Sequence, residues 1–500
     1  MGEVAAEIAN STLDDNAVFT EPTHVVIVFT TGSIADEFTA EEAAAARDAN
    51  PLDGWLPITE SRGGSTASAV FHLLCSGLGI QALMLPVAFA SLGWVWGIIT
   101  LSIGFLWQLY TIWALVELHE SVPGTRYSRF LDLSIAAFGR RLGKLLALFP
   151  VMYLSGGTCV MLIINGGGAM EDLFKTMCGG DGAACGIKPL DGVEWFLLFT
   201  CIAIVIAQLP NLNSIATVSL FGAIAAVGYG ALIWILSVTK GRPEGVSYEP
   251  LIEAKSVEAR IGSVLNAIGI IALSFRGHNL VLEIQGTLPL TPKCSSGTLP
   301  STPKCSSKES MWRAVIIAYS LIALCLYSLA IGGFWAYGSK IPNGGLYVAF
   351  PQFHGHDTPK LVMGLTYLLI VASCLSAFQI YAMPVFDTLE LRYTSIRNCR
   401  CSRRARTFLR VFFGCLAFFL AVALPFLGSL APLIGGMTST LTFVLPCFMW
   451  LMIKRPRRKS GKWWLNVGLG WLGVVLWAVM VAAAIWVLVD RGINANFFDP

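Results

Sequence analysis

Apolar residues run along this chain in blocks of about twenty, the number a helix needs to cross the hydrocarbon of a bilayer at 1.5 Å per residue. The blocks predict eleven helices, at 66–92, 94–118, 145–172, 194–210, 214–239, 260–286, 311–337, 359–390, 408–428, 430–452 and 464–489. The first and the sixth are interrupted midway, by Cys75-Ser76-Gly77-Leu78-Gly79-Ile80-Gln81 and by Ser274-Phe275-Arg276-Gly277-His278-Asn279. A spanning helix tolerates unwinding only where its freed backbone groups line a protected polar cavity. Interruptions at matching places in two halves mark the substrate site of a transporter. The pattern therefore predicts an all-α polytopic membrane protein of two five-helix units, 65–240 and 258–452, with an eleventh helix at 463–489. Five crossings per unit, an odd number, invert the second unit relative to the first.

Composition agrees with a membrane protein and excludes a soluble globular one. The 500 residues are 55% hydrophobic and 13% charged, with mean hydropathy +0.67. Positive charge sets orientation, because cytoplasmic loops retain Lys and Arg during insertion. With the N-terminus inside, the four inner loops hold 22 Lys and Arg, while the outer loops and tail hold 9. The densest clusters, Arg392 to Arg410 and Lys454 to Lys462, then lie inside, and the tail 490–500 lies outside. Of the 13 cysteines only Cys178 and Cys185 fall in an outer loop, on the oxidising side, which predicts a disulfide between them. Cys399 and Cys401 form a lone Cys-x-Cys inside, too little for a metal site, in a loop open to palmitoylation.

The first 60 residues carry twelve Asp or Glu against one basic residue, Arg47. They lack the basic start and apolar run of a signal peptide, and residues 1–64 are expected as an acidic, disordered cytosolic tail. His24 to Thr30 (HVVIVFT) is the one stretch there with strand character, and the only sequon, Asn10-Ser11-Thr12, lies in the same tail. Residues 286–307 contain a tandem duplication, GTLPLTPKCSS followed by GTLPSTPKCSS. It is too short for a solenoid unit and lengthens the cytosolic connection before the seventh helix. Tyr127 to Gly143 interleaves Phe130, Leu133, Ile135, Phe138 and Leu142 with Arg129, Asp132, Arg140 and Arg141, the pattern of a helix lying on the membrane surface. Trp94, Trp195, Trp312, Trp463 and Trp464 fall near span ends and read as interfacial anchors.

Several stretches carry a resemblance to a known family: GLGIQALMLPVAFASLGW (77–94), LHESVPGTRYSRF (118–130), FPVMYLSGGTCVMLIINGGG (149–168), AQLPNLNSI (207–215), VTKGRPEGVSY (238–248) and SFRGHNLVLEIQGTLP (274–289). From about residue 65 onward the chain resembles the plant lysine-histidine transporter-like proteins of the amino acid/auxin permease family. The resemblance implies a leucine-transporter-type fold, proton-coupled uptake of amino acids and residence in the plasma membrane. The doubled GTLP segment departs from the family pattern, which has one copy.

An amino acid zwitterion leaving water needs both charged ends solvated by protein. Around Ser76, Gly77, Leu78 and Gly79, N–H groups can approach a carboxylate closely, and carbonyls at the end of the first half-helix, near Cys75 and Ser76, can accept from an ammonium. The resemblance places the substrate here; close helix packing is the alternative use of Gly-x-Gly. In the sixth helix Arg276, His278 and Glu283 are intramembrane ionisable groups, functional by default. His278 and Glu283 are candidates for the coupled proton, and an Arg276 to Glu283 salt bridge that only fixes the break is the alternative. Arg276 is also a candidate for attracting the substrate carboxylate. Gln81, Ser155, Thr158, Ser274, Phe275 and Gly277 complete the expected lining, with Phe275 as a thin gate. Asn165, Ser373, Ser376 and Gln379 suit either lining or packing. The expected partners are an amino acid, a proton and the lipid bilayer, without nucleic acid, cofactor or metal, and with a monomeric chain. Two other functions fit the same pattern, import of an indole acid such as auxin and nutrient sensing on a transporter fold. No His-Glu-x-x-His, Gly-x-Ser-x-Gly or paired Asp constellation in the spans suggests an enzyme.

Overall fold

The computed structural model describes residues 54–123, 125–179, 182, 184–249, 257–289, 307–424 and 431–491. Among these there is no strand. Nine helices of the described residues are long and apolar enough to cross a membrane, and two shorter apolar ones, Thr66–Gly77 and Gly192–Ile206, accompany them. The expected strand at 24–30, the sequon, most of the 286–307 duplication and nearly all of the 490–500 tail lie outside the described residues.

The first interruption is real. Helix α1, Thr66–Gly77, starts with a capping box in which Ser65 and Ser68 exchange side-chain and backbone hydrogen bonds. It stops at Leu78 and Gly79, both extended, and resumes through a 3-10 turn, Ile80–Met84, into α2, Leu85–Leu118. Pro86 in the first turn of α2 costs no hydrogen bond there, because that N–H has no helical partner. Within α2, Gly93 takes φ 73°, a left-handed value open to glycine at low cost. It turns one run of helix into the two segments that the apolar blocks separate at 92–94.

The remaining elements are α3, Phe130–Phe138; α4, Arg140–Cys178; α5, Gly192–Ile206; α6, Ala216–Thr239; α7, Val257–Ser274; α8, His278–Gly286; α9, Ser307–Tyr337; α10, Leu346–His354; α11, Lys360–Arg397; α12, Arg403–Ala423; α13, Ala431–Ser439; α14, Leu445–Lys454; and α15, Gly461–Arg491. A π turn over Thr440–Val444 joins α13 to α14. α4 packs along α11, α1 lies against α6 and α9, and α2 lies against α7 and α9. The window around α7 and α8 is 94% buried, against 22% for α15, so the second broken helix occupies the interior and α15 the rim.

The sequence expectations shift in three places. The amphipathic helix at 127–143 is two helices, because Gly139 (φ 82°) ends α3 and α4 begins at Arg140. Residues 54–64, grouped by composition with the acidic tail, form a packed strap. Leu56 and Ile58 are each 1% exposed, Ile58 donates its N–H to Asp387 at 3.2 Å, and Gly64 donates to the Thr287 carbonyl at 3.0 Å. Trp195, expected as an interfacial anchor, is 7% exposed and turned inward onto Phe174 at 5.5 Å, while the half-buried Trp94 packs on Phe334 at 4.7 Å. The Cys178–Cys185 disulfide is formed.

Chain direction gives the helical body two ends. At the end of the strap, here the amino-terminal face, Arg410 fans across the carbonyls that α5 leaves open, reaching Ala207 at 2.5 Å, Leu209 at 2.6 Å and Pro210 at 3.0 Å. Arg406 meets Glu390 at 3.0 Å and Glu60 of the strap at 3.1 Å, and Arg400 also pairs with Glu60. Arg129 grips Asp387 at 2.5 Å and Thr59 at 3.1 Å. At the opposite face Tyr248 donates to the Trp335 carbonyl at 2.7 Å, and Tyr347 of α10 donates to Asp172 of α4. The Arg-rich segments 392–410 and 454–462 and the strap share one face, and the disulfide lies at the other.

Candidate functional site

The two interruptions meet. Gly277 holds φ 104° as the residue before α8. A Cβ there would stand 3.4 Å from Ser76 Oγ. Gly79 lies so close to Arg276 that a Cβ would fall 2.2 Å from a guanidinium nitrogen and 2.7 Å from the Gln81 side-chain oxygen. The three unwound residues 275–277 therefore face the extended pair 78–79, and the absence of side chains on Gly79 and Gly277 is what lets them approach.

Arg276 is the charged centre of this arrangement. It is 8% exposed and makes no ion pair or hydrogen bond among the described residues; its Nε in particular has no partner. The Tyr381 ring of α11 lies 5.1 Å from the guanidinium carbon, a cation–π contact that stabilises a buried cation without neutralising it. Cys75 of α1, Cys159 of α4, Cys374 of α11 and Tyr229 of α6 also lie within its field. The same Tyr381 donates its hydroxyl to the Ser76 carbonyl at 2.8 Å, satisfying one of the acceptors left open where α1 ends. One side chain of α11 thus braces both breaks.

The Arg276 to Glu283 ion pair expected as an alternative is not formed. Glu283 Oε1 accepts the Phe130 N–H of α3 at 3.5 Å, Oε2 has no partner, and the charges acting on the group are Asp387 and Arg129. In a continuous helix residues seven apart share a face, but Arg276 precedes the helical start at His278, so that periodicity does not apply. Glu283 instead sits between the break and the Arg129–Asp387 pair of the amino-terminal face.

His278, fully buried, places Nε2 3.0 Å from Thr111 Oγ1 of α2. Thr111 Oγ1 also lies within hydrogen-bond reach of the Gln108 carbonyl at 2.9 Å and the Trp107 carbonyl at 3.2 Å, and His278 Nδ1 has no hydrogen-bonded partner among the described residues. Asn279 donates to Ser155 Oγ at 2.9 Å, binding α8 to α4.

The other expected residues divide. Ser76, Gly77, Leu78, Gly79, Gln81, Ser274, Arg276 and Gly277 are brought together at or beside the breaks. Leu78 keeps its N–H inside α1, bonded to Leu74 at 2.9 Å, and Ser76 and Ser274 return their hydroxyls to carbonyls of their own helices. Gly77 faces Ile322 of α9. Ser155 is engaged by Asn279, Thr158 is buried on α4, and Gln379 bonds the Ala203 carbonyl at 3.0 Å across to α5. Phe275 lays its ring against Gly104 and Phe105 of α2. Sequence reasoning missed Tyr381, Thr111 and Asn279. The first two are ordinary residues inside long apolar helices, and only Asn279, polar and adjacent to His278, carried a signal.

Three comparisons bear on this geometry. The family model described as "Transmembrane amino acid transporter protein" matches residues 62–489. Lysine histidine transporter-like 8 of Arabidopsis thaliana is 52% identical over 460 residues, 92% of this chain and 86% of that protein. Lysine histidine transporter-like 7 of the same plant is 45% identical over 451 residues, 90% of each. Among solved structures, MhsT in complex with L-phenylalanine superposes with TM-score 0.52 at 13% identity, covering 83% of this chain and 98% of that one. At that identity the likeness concerns the fold alone.

Proposed function

This chain belongs to the transmembrane amino acid transporter protein family, a family of transporters and not of enzymes, and from that premise we propose that it is a proton-coupled amino acid symporter. On this reading eleven crossings form a 5+5 inverted repeat plus one helix, and transport proceeds by alternating access. The relatives named as lysine histidine transporters support amino acids as the substrate class.

The observation that carries the reading is the buried Arg276, unpaired among the described residues, between two facing helix breaks. A lone buried cation is costly, and a substrate carboxylate is the partner that would neutralise it through charge-assisted hydrogen bonds. The carbonyl end of α1 around Cys75 and Ser76 carries the negative end of the half-helix dipole and suits the substrate ammonium. No acidic side chain is then needed for the zwitterion.

His278 and Glu283 are the proton carriers of this proposal. Both are buried, and among the described residues each keeps one atom without a hydrogen-bonded partner, Nδ1 and Oε2. Loss of a proton from Glu283 places a second carboxylate in the field of Arg129 and Asp387, so its charge state and the closure of the amino-terminal face are linked. The Arg-rich segments on the face of the strap and the disulfide on the opposite one support a cytosolic N-terminus and an extracellular C-terminus, and the plasma-membrane location of this proposal rests on the family resemblance.

Uptake of radiolabelled amino acid into proteoliposomes, with proton and sodium gradients imposed independently, tests the proposal. A proton gradient alone is expected to drive accumulation in the wild type and to lose that power in His278→Ala or Glu283→Gln. Accumulation that follows only sodium refutes the coupling, and proton-driven accumulation that survives in both variants refutes the assignment of these two carriers.

A further inference from the structure

The loop that follows α2 on the amino-terminal face gathers more positive charge than its neighbours neutralise. It is a closed turn: Tyr127 donates its N–H to the His119 carbonyl at 2.9 Å, and His119 Nδ1 donates to the Tyr127 carbonyl at 3.3 Å. Arg126 of this loop has a side chain only 10% exposed. Its Nη2 donates to the Leu288 carbonyl just beyond α8 at 3.0 Å, and its Nε stands 3.1 Å from Glu120 Oε1. Its Nη1 has no hydrogen-bonded partner among the described residues. Glu120 is itself shared, because the same oxygen accepts the hydroxyl of Ser307, at the start of α9, at 2.6 Å.

A second guanidinium crowds the first. Arg62 of the strap lies close enough to act on both Arg126 and His119. Burial first, and then Arg62, push Arg126 down to about 10 against the opposing pull of Glu120. Burial and the same two cations hold His119 well below its ordinary value. Placing two like charges together beside a buried ring costs stability, and the strap is already seated without Arg62, through Leu56, Ile58 and Glu60. The hydroxyls of Ser121 and Ser128, the latter residue 1% exposed, also lack hydrogen-bonded partners among the described residues. Gly286 lets the end of α8 come against Ser128, since a Cβ there would stand 2.8 Å from the serine Cβ.

We propose that Arg62 and Arg126, with the hydroxyls of Ser121 and Ser128, form a phosphate-binding site that ties the strap to the ends of α2, α8 and α9. The ligand class is free phosphate or a phosphate monoester. Such a group carries about −1.5 to −2 charge at pH 7 and three strong acceptor oxygens. It offsets two guanidiniums, where the one shared carboxylate of Glu120 offsets a single charge. Guanidinium forks match phosphate geometry through charge-assisted hydrogen bonds, and the two hydroxyls add neutral donors. On this face, which also carries the Arg-rich segments, the phosphate comes from solution or from the headgroup of a phosphorylated inositol lipid. The site lies apart from the helix breaks and does not depend on the proton-coupled reading.

The test uses the full-length chain and reads hydrogen–deuterium exchange over the strap, residues 56–64. Inorganic phosphate is titrated against chloride at constant ionic strength in detergent micelles. In nanodiscs, phosphatidylinositol phosphate is compared with phosphatidylserine at equal total lipid charge. Protection of the strap by inorganic phosphate supports the site with a soluble source, and protection by the inositol phospholipid alone supports it with a lipid source. No protection by either, or equal protection by phosphatidylserine, overturns the proposal. Arg62→Gln is expected to keep wild-type uptake, while the half-saturating concentration of the protecting ligand rises at least about tenfold through the lost charge-assisted hydrogen bonds. An unchanged concentration overturns the assignment. If Arg62→Gln loosens the strap before any ligand is added, Ser121→Ala decides: loss of one neutral hydrogen bond is expected to raise that concentration about threefold or more, and no rise overturns the proposal.

Discussion

Replacing Tyr381 by phenylalanine removes the one atom through which this side chain holds the first helix break. The lost hydroxyl donates to the Ser76 carbonyl at 2.8 Å, and Ser76 is 1% exposed, so water does not readily replace it. A buried acceptor left unsatisfied costs about 1–3 kcal/mol. That cost falls on the conformation in which the end of α1 is docked on α11, the arrangement that also holds Arg276 in place. At about 1.4 kcal/mol per tenfold, the apparent KM for amino acid uptake is expected to rise roughly 5- to 150-fold. Phenylalanine keeps the ring beneath the guanidinium, 5.1 Å away. Tyr381→Leu removes the ring too and forfeits about 0.5–2 kcal/mol more, placing it a further 2- to 30-fold above Tyr381→Phe. The assay is initial-rate uptake in proteoliposomes, with thermal unfolding in detergent as a control for misfolding. Wild-type KM and melting temperature in Tyr381→Phe, together with no further loss in Tyr381→Leu, would refute the bracing role.

Two other outcomes follow from the same coordinates. Gly79→Ala meets no backbone penalty, since Gly79 is extended at φ −159°, but its methyl group would overlap the Arg276 guanidinium. Overpacking of this kind costs about 1–3 kcal/mol and falls on a flexible side-chain end. KM is therefore expected to rise at least about fivefold with little change in melting temperature, and a normal KM in uptake assays would contradict the geometry. Asp387→Asn removes the charge that holds Arg129 and the Ile58 N–H. Hydrogen bonds to charged groups contribute about 1.5–3 kcal/mol, so deuterium exchange at Leu56 to Thr59 is expected to accelerate at least about tenfold, and unchanged protection would show that the strap is held otherwise.

Much of the site was legible because a membrane restricts what an unsatisfied backbone can do. Gly-x-Gly in the first span and Arg276-Gly277-His278 in the sixth announced unwinding where a polar cavity had to be, and the structure unwinds at 78–79 and 275–277. The pairing of Cys178 with Cys185 followed from counting loops. Tyr381 and Thr111 gave no signal, since a tyrosine or threonine in an apolar helix more often packs than braces. The strap at 54–64 was hidden because composition weighs acidic residues together, while Glu60 is engaged by Arg400 and Arg406 from more than 300 residues away.

By itself the sequence determined where helices run, where two of them break and which ionisable residues enter the apolar spans. These follow from local periodicity and from the cost of exposed peptide groups in hydrocarbon, both read residue by residue. Only the tertiary structure decided partnership: that Arg276 faces Gly79 and Tyr381 instead of Glu283, that Glu283 looks toward Arg129 and Asp387, and that His72 meets Ser219. Partnership depends on how the breaks rotate each half-helix and which helix packs beside it, and a turn at φ 104° after Arg276 resets the helical face that the sequence alone would have projected.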